Sequence, residues 1–263
     1  MRMDITSLQN PRVKQLVRLR ERRERESEGL ILVEGLYEIE TALASGLIPH
    51  TLYIAPDLAG ENKIHAPTTE LITVTTPVFE KISYRDNPDG WLAVFPVPQR
   101  SLEEFKIVGI PFVIVAEAIE KPGNLGAILR TADAAGVDAL LVCDPRVDIY
   151  NPNVVRASRG TVFTVPVAQV TNVHALDWIH KNKINVLAAT PSAEIVFSDV
   201  DLRKPVAMAV GTEDEGLSNF WLDNADQKVM IPMMGTVNSL NVSTSTAILA
   251  YEVVRQRRAE SHK

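Results

Sequence analysis

Two stretches of this 263-residue chain gather side chains able to bind or transform a ligand. The first is the loop Gly235-Thr236-Val237-Asn238-Ser239-Leu240-Asn241, rich in amides and hydroxyls. Such side chains bond nearby backbone groups, so they favour turns and helix N-termini. They also suit a ligand-binding turn. The second is Glu117–Gly126, EAIEKPGNLG, between an apolar run and a helix. A glycine loop there, with Asp144 where a ribose-binding acid belongs, invites a nucleotide-binding, dehydrogenase-like enzyme. The loop is GNLG, not G-x-G-x-x-G, so that signal is weak. Arg156 and Arg159 precede Gly160, and an exposed arginine pair of this kind is common. His174 and His180 lie far from Cys143, and no metal-ligand spacing appears, so no metal is expected.

The elements that must carry these residues follow from periodicity. Pro111–Ala116, with FVIVA inside it, reads as a buried parallel strand. Ala127–Ala135, closed by Gly136, reads as a helix, and Ala139–Cys143 as the next strand. Together they form a βαβ unit. Asn151-Pro152 starts another helix by cap and N1 logic. Thr161–Val167, Ile184–Ala189 and Pro205–Gly211 read as further strands. Val229–Pro232 ends a strand that feeds the 235–241 loop. The segment from Ser243 to Tyr251 is a helix apolar on almost every side, which normally lies in a core or between subunits.

The first hundred residues differ in character. Asn10-Pro11 opens a helix with a narrow stripe of Val13, Leu16 and Val17, surrounded by Arg12, Lys14, Arg18, Arg20, Arg22, Arg23 and Arg25. It is either a solvated helix laced with ion pairs or an RNA-facing arm. Strands at Leu30–Glu34, His50–Ala55, Leu71–Val74 and Trp91–Val97, with a helix over Tyr37–Leu47, suggest a small α/β domain. Pro96, Pro98, Gln99 and Arg100-Ser101 mark a linker, giving domains of 1–98 and 107–263.

Composition sets the bounds. Net charge is −6, so only a local basic face could meet phosphates. No apolar run reaches the roughly 18–20 residues needed to cross a bilayer, and no membrane partner is expected. The N-terminus has no signal-peptide core. The single cysteine, Cys143, ends an apolar strand, reads as a buried small hydrophobe, and fits a reducing cytoplasm.

Three segments resemble the motifs of the SpoU/TrmH family of SPOUT-class RNA 2′-O-ribose methyltransferases. NLGAILRTADAAGVDALLV is similar to the first, with Asn124 and Arg130 in its polar positions; the rival reading is a helix cap and a surface charge. VGTEDEGLS resembles the second, with Gly211 and Glu213. Asp214 departs there from the small residue expected. IPMMGTVNSLNVS, running into an apolar helix with Glu252, resembles the third. RASRGTVFTVPV is similar to a family segment near the active site, and GLILVEGLYEIETALASG with DNPDGWLAVF, more loosely, to a ribosomal-protein-L30e-like substrate-binding domain.

The resemblance implies an α/β fold: a C-terminal parallel-sheet domain with a trefoil knot, preceded by a small α/β substrate-binding domain. It implies methyl transfer from S-adenosylmethionine to a ribose 2′-hydroxyl in structured RNA, rRNA more than tRNA, by a cytoplasmic homodimer. Asn124, Arg130, Glu213, Ser239 and Asn241 would form the polar site. The main chain at Gly211, Ile231 and Leu240 would hold the cofactor, and Arg156 and Arg159 the RNA. Asn124 and Arg130, six apart, bracket one site only if Asn124 lies in the loop. The alternative is a non-catalytic RNA-binding protein of the same fold, against which the intact polar residues argue.

Overall fold

The protein, seen here as a computed structural model, is described for residues 4–61, 63–66, 70–212 and 214–260. The chain begins α1 (Pro11–Arg18), α2 (Arg22–Glu28), β1 (Leu30–Glu34), α3 (Leu36–Ala44), β2 (Thr51–Ile54) and α4 (Pro56–Ala59). It continues β3 (Glu70–Thr73), α5 (Thr76–Ile82), β4 (Trp91–Pro96), β5 (Phe112–Glu117), α6 (Pro122–Ala135) and β6 (Ala139–Cys143). Then come α7 (Pro152–Ala157), α8 (Thr161–Thr164), β7 (Val167–Val170), α9 (Asn172–Lys181) and β8 (Asn185–Ala189). Last are β9 (Ile195–Val196), β10 (Val206–Val210), α10 (Asn219–Asn224), β11 (Gln227–Met230) and α11 (Val242–Glu260).

These elements pack as two compact units. One runs to Gln99 and takes in Asp148–Thr164; the other is Arg100–Val147 with the chain from Val165 onward. In the first, a mixed sheet has the order β1-β4-β2-β3, antiparallel except for β2 with β3. Strands β1 and β4 are apolar on both faces because both faces are covered. Val13, Leu16, Val78 and Phe79 of α1 and α5 pack on one side. Phe163 of α8 stacks on Phe95 of β4, and Tyr150 on Phe163.

The arginine-rich N-terminus departs from a single helix. Asn10 caps α1, its side chain accepting from the Arg12 amide at 2.9 Å. The helix then stops, because Leu19 turns into the core, and α2 starts afresh. Arg25 is only 2% exposed. Its guanidinium is paired with Asp148 and also donates to the carbonyls of Leu19 and Arg20. One arginine of the run is therefore a core residue, held because a buried cation needs a partner and filled hydrogen bonds.

The second unit is a seven-stranded sheet, β7-β6-β5-β10-β8-β11-β9, with every pair parallel. The strands expected at Pro111–Ala116, Ala139–Cys143, Ile184–Ala189 and Pro205–Gly211 are here, and β5, β6 and β10 are fully buried. Alternate residues such as Val113, Val115, Leu141, Ala207 and Ala209 form one core with α9 and α10, around Trp221. Helix α11 packs against α6 and β10. Cys143 is buried, as its strand position predicts, and burial raises the pKa of its thiol. No described helix is long and apolar enough to cross a membrane.

Three further sequence expectations change. Thr161–Val167 is not one strand: 161–164 is a helical turn and the strand starts at Val167. The Thr161 amide bonds back to the Ser158 carbonyl at 3.1 Å and the Phe163 amide to the Gly160 carbonyl at 2.9 Å, so the backbone is spent on local turns and not on a strand ladder. The glycine loop is also shorter than read. Pro122 stands at the first helical position of α6, so the helix starts there and Asn124 lies in its first turn. Finally, α11 is buried along one side only. Val242, Thr246, Leu249, Ala250 and Val253 face inward, and Tyr251 is 51% exposed.

Replacing Arg25 by Met should cost about 3 kcal/mol, because Asp148 would be left part-buried without its cation. Denaturant unfolding checks this, and a variant as stable as the parent would show that the pair contributes nothing.

Candidate functional site

In parallel sheets, ligands bind beyond the carboxyl ends of the strands. Three loops leave that edge here after β8, β10 and β11, and they enclose a cleft of about 310 Å³. Its lining includes Thr190, Gly211, Thr212, Ile231, Ser239, Leu240 and Val242. A smaller cleft of about 100 Å³ lies beside it, lined by Ile119, Lys121, Asn124 and Arg146 among others. Thr212, Asp214, Glu215 and Val242 line both, so the two share a wall.

The loop after β10 is shaped locally. Gly211 is buried, and the amides and carbonyls of Thr212 and Gly216 bond reciprocally at 3.0 and 3.1 Å. Gly216 takes φ +70, which suits glycine. The Glu215 amide donates to the Thr212 hydroxyl at 3.0 Å. A Cβ on Gly211 would overlap the Gly216 carbonyl and the Leu217 nitrogen. The close approach that demands glycine is thus to the chain's own loop.

The far end of this loop is fixed by a side chain that the sequence reading passed over. Glu117 ends β5 and is 4% exposed. Its carboxylate accepts from the Ser218 amide at 2.8 Å, the Ser218 hydroxyl at 2.7 Å and the Asn172 amide group at 2.8 Å. Asn172 also donates to Asp144 at 2.6 Å and accepts from the Trp221 indole at 2.7 Å. Asp144, a candidate ribose acid from its strand-end position, is engaged in this network. The signal was present: an acid closing an otherwise apolar run must find donors. Arg146 was likewise unmarked by sequence; it pairs with Glu120 and lies 3.9 Å from Glu215.

The loop after β11 ends at a helix cap. The Asn241 side-chain oxygen accepts from the Ser243 amide at 2.9 Å and the Ser243 hydroxyl at 2.6 Å. Its amide group donates to Asn124 at 3.1 Å. Two expected polar residues, 117 positions apart in sequence, therefore meet. Asn124 lies at the N-terminus of α6, so both helix starts, with their outward N–H groups, converge near the smaller cleft.

The other candidates fall as follows. Gly211, Ile231, Ser239 and Leu240 line the larger cleft. Arg130 is exposed on α6 and lines neither cleft, and among the described residues its side chain has no hydrogen bond or ion pair. Arg156 and Arg159 are exposed and belong to the other compact unit. Glu213 lies outside the described residues. Among the described residues, no group of three or more His, Cys, Asp or Glu could hold a metal ion.

Comparison with known proteins gives a consistent picture. Residues 111–251 match the SpoU rRNA Methylase family, and residues 10–93 the MRM3-like substrate binding domain. An uncharacterized tRNA/rRNA methyltransferase of Synechocystis sp. is 34% identical, over 98% of this chain and 95% of that one. A crystal structure of an RNA 2′-O ribose methyltransferase is 44% identical with a TM-score of 0.86, covering 97% of this chain and 99% of that one. The SpoU methyltransferase AviRb of Streptomyces viridochromogenes, in complex with AdoMet, is 28% identical with a TM-score of 0.86, covering 95% and 99%.

The Gly211 geometry is testable by hydrogen exchange. Gly211→Ala should strip protection from the Thr212 and Gly216 amides while β5 and β6 stay protected. Unchanged protection would mean that the loop has room for a methyl group.

Proposed function

The chain belongs to the SpoU rRNA methylase family, and from that premise we propose that it methylates ribose 2′-hydroxyls of structured ribosomal RNA, with S-adenosylmethionine as the donor. The observation that carries this reading is the pair of clefts sharing one wall at the carboxyl edge of the parallel sheet. The larger mixes apolar residues such as Ile231, Leu240 and Val242 with polar ones such as Thr190 and Ser239, and the smaller is lined mainly by polar and charged residues. The larger fits a nucleoside-bearing cofactor, since Gly211, Ile231 and Leu240 bring backbone and apolar surface to it and Ser239 a hydroxyl. The smaller, beside the Asn124–Asn241 bond, is the side from which a ribose would enter.

Bound S-adenosylmethionine supplies an electrophilic methyl group carried on a sulfonium. The protein's part is to hold the two reacting atoms in line, which is a large share of catalysis for such a displacement. The Asn124–Asn241 pair fixes the rim against which the ribose is set. Glu213 orients a neighbouring group. The donor fork of Arg130, without a partner among the described residues, grips an RNA phosphate and stabilises developing alkoxide charge. A guanidinium stays protonated in proteins, so an electrostatic clamp suits it better than a base.

The rest of the reading follows. Residues 1–98 form the RNA substrate-binding domain and 107–263 the methyltransferase domain, in line with the two family matches. Arg156 and Arg159 contact RNA. The C-terminal segment threads the trefoil knot, and the protein works in the cytoplasm. Its exposed Tyr251, with half-buried Ile248 and Val254 on the same helix, packs on a second copy to make a homodimer.

The deciding experiment is transfer of a labelled methyl group to rRNA, followed by digestion to nucleosides. Label in 2′-O-methyl nucleosides supports the proposal, whereas label on bases, or none, overturns it. For Arg130→Lys, single-turnover transfer at saturating RNA and cofactor should fall by about 100-fold, near 3 kcal/mol. Cofactor affinity should hold. A near-normal rate would reduce Arg130 to a surface charge. Tyr251→Asp should turn a sedimenting dimer into a monomer; a dimer that persists would place the interface elsewhere.

A further inference from the structure

One surface of the N-terminal unit is left over once the clefts are described. Tyr37, in the first turn of α3, is 53% exposed. The Arg159 guanidinium lies over its face, 4.4 Å from the ring centroid. We infer that Tyr37 and Arg159 form a platform on which an unpaired nucleobase of the RNA stacks. The inference rests on RNA being the substrate and assigns a residue, Tyr37, and a mode of contact that the motifs do not supply.

The backbone beneath Arg159 supports this. Helix α7 ends at Ala157, and the Gly160 amide turns back to the Val155 carbonyl at 3.0 Å. In such a helix end the left-handed position normally goes to glycine. Here it goes to Arg159, with φ +52, while the glycine follows at 160 with φ +79. Gly160 is pressed onto α3: a Cβ there would lie 2.9 Å from the Thr41 Cβ. The turn places the Arg159 side chain along α3, over Tyr37.

The charges point the same way. Among the described residues the guanidinium groups of Arg156 and Arg159 make no hydrogen bond or ion pair, so their donor forks stay open to phosphates. Glu38, the acid next to Tyr37 on α3, is buried and paired with Arg85 at 3.0 Å. It is already neutralised and does not discharge the arginines. A planar cation on an exposed aromatic, with a second arginine one turn away, suits a splayed-out base and its phosphate. A duplex, whose bases are stacked on one another, offers no face to it.

The test is binding to full-length protein of a fluorescein-labelled single strand of about 12 nucleotides, and of the corresponding duplex. Tyr37→Ala should weaken single-strand binding about tenfold and leave duplex binding nearly unchanged. Tyr37→Phe, which keeps the ring, should bind within about twofold of the parent. Tyr37→Trp gives a second readout, since its added emission should be quenched by the single strand and not by the duplex. Normal binding by Tyr37→Ala, an equal loss on duplex, a Phe variant as weak as the Ala variant, or an unquenched tryptophan would each overturn the platform. A parent protein that binds neither RNA would sink the platform and the RNA reading together. A parent that binds and methylates RNA while Tyr37→Ala binds normally would sink the platform alone.

Discussion

Helix α11 lies along α6 and against β10, and it can do so only because both of its ends are tied. Near its end, the Arg257 guanidinium donates to the carbonyls of Ile110, Pro111, Leu202 and Lys204 at 2.7 to 3.2 Å. Partial burial lowers the pKa of that guanidinium, yet four carbonyls give it the partners that a desolvated cation requires. Gln256 adds bonds to Val200 and Leu202. At the other end, Asn241 caps the helix and reaches Asn124. With both ends fixed, the 231–241 segment has to return across the carboxyl edge of the sheet. That return makes the wall of the larger cleft.

The opposite wall depends on a buried carboxylate. Glu117 would be costly at the end of an apolar strand if it stood alone. Three donors from Ser218 and Asn172 satisfy it. Through them it ties the loop after β10 to α10 and α9. Arg25 and Asp148 use the same physics within the N-terminal unit, where the pair anchors the start of the 148–164 segment. In both places a charge taken out of water organises chain that hydrophobic packing alone would leave without a fixed register. Both walls of the cleft thus rest on polar groups whose partners are distant in sequence.

Local signals in the sequence determined much of this. Continuous apolar runs identified β5, β6 and β10, because a strand covered on both faces has no room for polar residues. Asn-Pro pairs identified the starts of α1 and α7, because cap and proline chemistry act over three or four residues. The polar loop before α11 and the glycine before Thr212 marked the cleft. Tertiary structure decided what depends on distant partners. Arg25 looks like its solvated neighbours until Asp148 meets it, and Thr161–Val167 looks like a strand until Phe163 stacks on Phe95 of β4. The meeting of Asn124 with Asn241, the grip of Glu117 on Ser218, and the placing of Arg159 over Tyr37 join residues 117, 101 and 122 positions apart. No local propensity encodes such pairs, since the free energy that fixes each belongs to the contact and not to either segment by itself.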